Sequence, residues 1–226
     1  MEIAVEKERA QLLDHWKQAI QKNWFVDEVA EVRKILAASK GAKNQRSIGE
    51  SLRYFHDRLG FKAKDTLDEG GLCKGAIFRT QTFIATTQRS GARGPGKTAH
   101  IEHTVPINNL ATAIINSQFP DYRDLLIWLL KHSVTTAFHE DEKKYLEGRE
   151  NETDALNLAL VEYQKPFMRY QKLVKDGGVV WNVLDGTKID PLTFTFKDHF
   201  GVVIKLLEKV WGQRWLPYAI SVRGRA

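Results

Sequence analysis

The stretch Ala99-His-Ile-Glu-His-Thr-Val-Pro-Ile107 sets the tightest local limit on how this chain folds. Residues 98–105 read as one strand, and Pro106 ends it because proline has no N–H to give to a ladder. Successive strand residues point to opposite faces, so Glu102 and His103 face away from each other on a regular strand. They serve one site only if the strand bends or a backbone carbonyl takes part. A bulge beside Pro106 is the expected source of that bend. His100 shares a face with Glu102 and is read as bordering the preceding loop.

That loop, Arg89-Ser-Gly-Ala-Arg-Gly-Pro-Gly-Lys97, carries Arg89, Arg93 and Lys97 among three glycines. Glycines let a backbone approach a phosphate closely. The loop is not a nucleotide cradle of the P-loop type. A strand follows Lys97-Thr98 where a helix is required, and the first glycine lies at the wrong distance. The wider charge agrees with a polyanionic partner: 34 Lys and Arg against 28 Asp and Glu give +6. The single cysteine, Cys73, excludes an internal disulfide framework and a zinc site built on several cysteines. The longest apolar run, Leu125-Leu-Ile-Trp-Leu-Leu130, is too short to span a bilayer. The charged first ten residues lack a signal-peptide core. A cytoplasmic protein with no membrane partner is expected.

Elsewhere, Leu12, Leu13, Trp16, Ala19 and Ile20 recur at helical spacing within residues 2–21. Asp27 reads as the cap of a second helix, and Ser47 with Glu50 as the capping box of a third, ended by Gly60. The β-branched and aromatic residues of 76–87 predict a strand, and with 98–105 they predict a hairpin tipped by the basic loop. Helices follow over 108–115 and 122–130, a strand over 133–138 and a short acidic helix from His139 to Glu147. A helix around 152–173, strands near 178–184 and 192–196 and a helix over 198–211 complete the pattern. The expected class is α+β, with a helical region over 1–70, a core over 71–150 and a mixed region over 151–226.

The order of strand, Glu-His, proline, long connection, strand and acidic helix resembles the ββα-metal core of the HNH (His-Me finger) endonucleases. The resemblance covers residues 76–147 and rests on Ile101-Glu-His-Thr-Val-Pro-Ile107 and on Lys131-His-Ser-Val-Thr-Thr-Ala-Phe-His-Glu-Asp-Glu142. It implies Glu102 as a ligand of Mg²⁺ or another divalent metal such as Mn²⁺, and His103 as the base that activates water. A second ligand comes from the helix, at Glu142, His139 or Asp141. His132 takes the position of the bracing asparagine. Glu142 and His132 depart from the family's usual His or Asn and Asn at those positions. The zinc-ribbon cysteines of many relatives are absent.

This resemblance implies hydrolysis of DNA phosphodiesters, sequence-specific in the manner of a type II restriction endonuclease. Cutting both strands needs two active sites, so a homodimer is expected. Arg79, Arg89, Arg93 and Lys97 are the expected nucleic-acid contacts; Arg169-Tyr170 and Arg223-Gly-Arg225 are further candidates or solvated surface. Two alternatives stay open: a toxin or defence nuclease acting on RNA or non-specific DNA, and a nucleic-acid-binding protein without catalysis.

Overall fold

Side chains 71 and 81 residues apart in sequence meet at one buried carboxylate, and that junction ties the N-terminal helix to the central sheet. The computed structural model describes residues 2–21, 24–41, 45–56, 73–91, 96–146 and 164–212. Helices α1 (Glu2–Gln21), α2 (Trp24–Lys40) and α3 (Gln45–His56) are followed by strand β1 (Phe78–Thr80) and the short helix α4 (Gln81–Ala85). Then come β2 (Ala99–His103), α5 (Ile107–Asn116), α6 (Tyr122–His132), β3 (Thr135–His139) and a 3-10 helix over Glu140–Tyr145. A 3-10 turn at Met168–Tyr170, α7 (Gln171–Lys175), β4 (Val180–Asn182), β5 (Thr187–Lys188) and α8 (Phe196–Trp211) complete the described chain. The class is α+β. No helix of the described residues is long and apolar enough to cross a membrane.

The helices form where periodicity and capping agree. In α1, Val5, Leu12, Trp16 and Ala19 are buried along one face. The Asp121 carboxylate accepts from the N–H groups of Arg123 (2.7 Å) and Asp124 (3.2 Å) and so starts α6. Thr195 and Asp198 form a capping box at the start of α8, whose Phe196, Val202, Val203, Leu206 and Leu207 are buried. One apolar cluster runs from Val5 to Leu207. Helix α1 packs on α8, α2 on α6 and α3 on α5, so the N-terminal helices share their core with the rest of the described chain.

The strands lie in the order β2-β3-β1-β4-β5. Strand β3 is antiparallel to β2 and parallel to β1, while β4 is antiparallel to both β1 and β5. The expected hairpin of 76–87 with 98–105 is therefore not formed, because β3 lies between its two arms. The first arm is also shorter than expected. Thr80 accepts a hydrogen bond from the Phe83 N–H and starts α4, so the β-branched run becomes helical after three strand residues. The strand expected near 192–196 is a turn. The Asp190 carboxylate accepts from the Leu192 N–H (2.9 Å) and the Thr193 hydroxyl (3.0 Å), and the edge strand is Thr187–Lys188 instead. The caps expected at Asp27 and Gly60, and the first part of the 152–173 helix, concern side chains or residues outside the described set.

The buried junction centres on Glu8 of α1. Its carboxylate pairs with Arg79, which is fully buried, and accepts from Arg89 at 2.6 and 3.0 Å. Arg79 also donates to the carbonyls of Ala76 (3.0 Å) and Lys74 (2.6 Å), and the Arg89 guanidinium lies 4.2 Å above the Phe83 ring centroid. Burial opposes the charge on Glu8, but Arg89 and Arg79 outweigh it and hold the carboxyl below its ordinary range. Arg79 and Arg89, expected at a nucleic-acid surface, are structural instead: their charge is spent on Glu8 and on backbone carbonyls.

Two further buried groups make stability pH-dependent. Burial, helped by the charges of Lys74 and Arg79, pushes His15 down to about 4 from 6.5. Burial also pushes His199 down to about 4, although its Nδ1–H donates to the Lys131 carbonyl at 2.7 Å. Between pH 6.5 and 4 the unfolded chain binds these protons and the folded chain does not, so stability falls as pH falls. The expected loss by pH 5 is about 2 kcal/mol per histidine. Denaturant unfolding at pH 7 and pH 5 checks this; the same midpoint at both values would refute it.

Candidate functional site

Strand β2 is an edge of the sheet, and its alternation sorts its polar residues. Glu102 pairs in register with Thr136 and His100 with Phe138, so these four share a face. His103, opposite Thr135, lies on the other face with Ile101 and Ala137. The ladder continues without a break from Ala99↔His139 to His103↔Thr135. The bulge expected near Pro106 does not interrupt it, and Glu102 and His103 do not converge on one face. They lie instead on either side of the open edge of the sheet, at its C-terminal corner.

The Glu102 face carries a row of alternating charges. The Lys143 ammonium lies 3.3 Å from Glu140, and Glu140 lies 3.1 Å from the Lys97 ammonium. Lys97 donates to His100 Nδ1 at 2.7 Å. The far ring nitrogen, Nε2, is 3.8 Å from a Glu102 oxygen. The His100 ring rests on Phe138, with centroids 5.0 Å apart. Burial opposes the Glu140 charge, but Lys97 and His100 outweigh it and keep that carboxyl below its ordinary value.

Arg169 closes the row from a distant part of the chain. One of its terminal nitrogens donates to the Glu102 carboxylate (2.7 Å) and to the His103 carbonyl (3.2 Å). Neighbouring Tyr170 is fully buried. Thr136, Thr104 and the Glu102 carboxylate are the polar groups around its hydroxyl. Burial and the Glu102 charge push the phenol above its ordinary value. Thr104 and Thr136 bond each other at 2.8 Å. Residues 169 and 170, considered above as DNA contacts or solvated surface, are thus buried parts of the site.

The other candidates have different surroundings. His132 is buried in α6, where its Nδ1–H donates to the Trp128 carbonyl at 2.8 Å. Its ring lies between Trp128 and Phe196, with centroids 4.6 and 4.8 Å away. His132 thus stands in α6 among packed rings, not on strand β2 with Glu102 and His103. Glu142 is only 5% exposed. One of its oxygens accepts both the Thr80 hydroxyl and the His139 N–H (3.0 Å), closing a capping box. His139 Nδ1 accepts from the Asp141 N–H at 3.3 Å and caps the same 3-10 helix. Lys97, expected on phosphate, is engaged with Glu140 and His100. Arg93 lies outside the described residues.

The implied metal can be tested against this arrangement. Glu142 and His139 are committed to capping, and Glu102 is held by a guanidinium. Glu140 and Glu102 approach opposite nitrogens of the His100 ring, so their oxygens diverge. Among the described residues no group of three His, Cys, Asp or Glu side chains could hold a metal ion. The ligand set Glu102, Glu142 and His139 does not fit a metal as the side chains stand. Comparison with protein-family models, with curated proteins and with solved structures finds no match, so the chain belongs to no family that these comparisons show.

Proposed function

We propose that this chain is a DNA endonuclease of the HNH type, built on a ββα core of β2, β3 and the Glu140–Tyr145 helix. The observation that carries the reading is the Glu102-His103 pair at the corner of an open edge strand, followed in the core by the antiparallel β3 and an acidic helix. In this reading a DNA strand lies against the free edge of β2. A duplex backbone running along that edge passes both faces of the strand and so meets both residues. His103 takes the proton of the attacking water. Arg169 holds the Glu102 carboxylate and the His103 backbone together at the corner. The net charge of +6 favours the polyanion through counterion release.

The resemblance adds Mg²⁺ or Mn²⁺, but the side chains it implies do not converge. Sequence-specific cutting of both strands implies a restriction-like homodimer in the cytoplasm. Incubating plasmid and long linear DNA with the protein, in Mg²⁺ and in EDTA, tests the reading. Discrete fragments that vanish in EDTA are expected. A smear, or cleavage of RNA, would move the reading to a non-specific or toxin nuclease.

A second reading is binding without cleavage. It is favoured by one observation: His132 and Glu142 are both consumed by packing and capping. It predicts intact DNA retained in a salt-sensitive complex. Intact and unbound DNA and RNA would contradict both readings.

A further inference from the structure

We propose that the core of this protein holds one structural water molecule, bonded to Ser133, Thr135 and His199, which joins the end of α6 and the start of β3 to α8. The three residues line a small internal cavity whose other walls are apolar and include Trp16, Phe78 and Leu129. The space in it open to the centre of a water molecule is ≈ 20 Å³. One water needs about 10–15 Å³ of such space, whereas an engineered cavity that takes up benzene has about 150 Å³. The size therefore selects a single water and excludes an organic ligand.

Polar groups decide whether a cavity of this size is wet, since purely apolar ones stay dry. Ser133 is only 6% exposed, and its hydroxyl finds no hydrogen-bond partner among the described residues. Its backbone N–H already closes α6 on the Leu129 carbonyl (2.8 Å), so the helix end does not need the side chain. A buried hydroxyl without a partner is costly to leave. His199 brings an acceptor. Its Nδ1–H donates to the Lys131 carbonyl at 2.7 Å, which leaves the lone pair on Nε2. Burial keeps the ring neutral, with its pKa pushed down to about 4. Thr135 supplies a second hydroxyl. A water that donates to Nε2 and to one hydroxyl, and accepts from the other, makes about three hydrogen bonds, as buried waters do. Thr135 is also the cross-strand partner of His103, so the water anchors the residue beside the proposed base.

The test is a crystal structure of the full chain, read with the thermal midpoint of Ser133→Ala. One ordered water is expected in the cavity, within about 3.2 Å of Ser133 Oγ and His199 Nε2. A cavity without density, or density for any larger molecule, would overturn the proposal. Ser133→Ala keeps the backbone hydrogen bond that ends α6 and removes only the hydroxyl. If that hydroxyl binds water, losing its hydrogen bond is expected to lower the midpoint by about 2–4 °C. If it is dry, removing it relieves an unpaired group, so an unchanged or raised midpoint also overturns the proposal. The wild-type crystal needs no variant, so it still decides the matter if Ser133→Ala fails to fold. Neither measurement involves DNA, so both outcomes are independent of the endonuclease reading.

Discussion

Glu8→Ala is expected to lower the thermal midpoint of this protein by about 10 °C. The substitution leaves Arg79 fully buried with no counter-charge, and it leaves the Arg89 guanidinium facing it. Breaking a buried ion pair by removing one partner costs about 3–5 kcal/mol, because the remaining charge is stranded. For a chain of this size each kcal/mol shifts the midpoint by about 2–4 °C. The loss is large against a total stability of about 5–15 kcal/mol. Glu8→Gln keeps an acceptor for the two guanidinium groups and loses only the charge, so its effect is expected to be smaller. Thermal unfolding followed by circular dichroism distinguishes the two. A fall of less than about 2 °C for Glu8→Ala would show that the junction does not hold α1 to the sheet.

His103→Ala is expected to slow DNA cleavage by about 10²–10⁴-fold, the usual contribution of a positioned general base. The effect should fall on the rate and leave DNA binding in place, since His103 is one side chain in a protein of net charge +6. The contrast with His132 is informative. His132→Ala removes a ring packed between Trp128 and Phe196 and a hydrogen bond to the Trp128 carbonyl. It should reduce stability, with cleavage per folded molecule unchanged. Equal losses of specific rate in both variants would place His132 back among the catalytic groups.

Several elements are legible in the sequence because their signals are local. The apolar spacing of Leu12, Trp16 and Ala19 marks α1, and Asp121 marks the start of α6. The acidic run after His139 marks a capped helical turn. Strand β2 and the shared face of His100 and Glu102 follow from alternation alone. Pairing across the sheet is not local in the same way. Residues 76–87 and 98–105 look like two arms of a hairpin, yet β3, more than thirty residues after the second arm begins, inserts between them. A parallel neighbour leaves no mark near β1 that a turn would leave in a hairpin.

Charge is harder still to place from sequence. Arg79 lies in a strand-like run and Arg89 at the head of a glycine-rich loop, and both read as nucleic-acid contacts, while their partner lies in the first helix. Arg169 is equally hard to place, because the carboxylate that defines its role is 67 residues away. The resemblance implies Glu142 or His139 as a ligand because acidic and imidazole groups near a strand end also suit a metal. Their capping geometry is visible only once the Glu142 oxygen is seen against Thr80 and the His139 N–H.

The central claim is that the Glu102-His103 corner cuts DNA. The most direct measurement is the initial rate of loss of supercoiled plasmid, in Mg²⁺, for the wild type and His103→Ala at matched folded concentration. The account predicts cleavage by the wild type and a fall of at least about 10²-fold in the variant, with DNA retention by both. Cleavage at the same rate by both proteins, or none by the wild type, would contradict it.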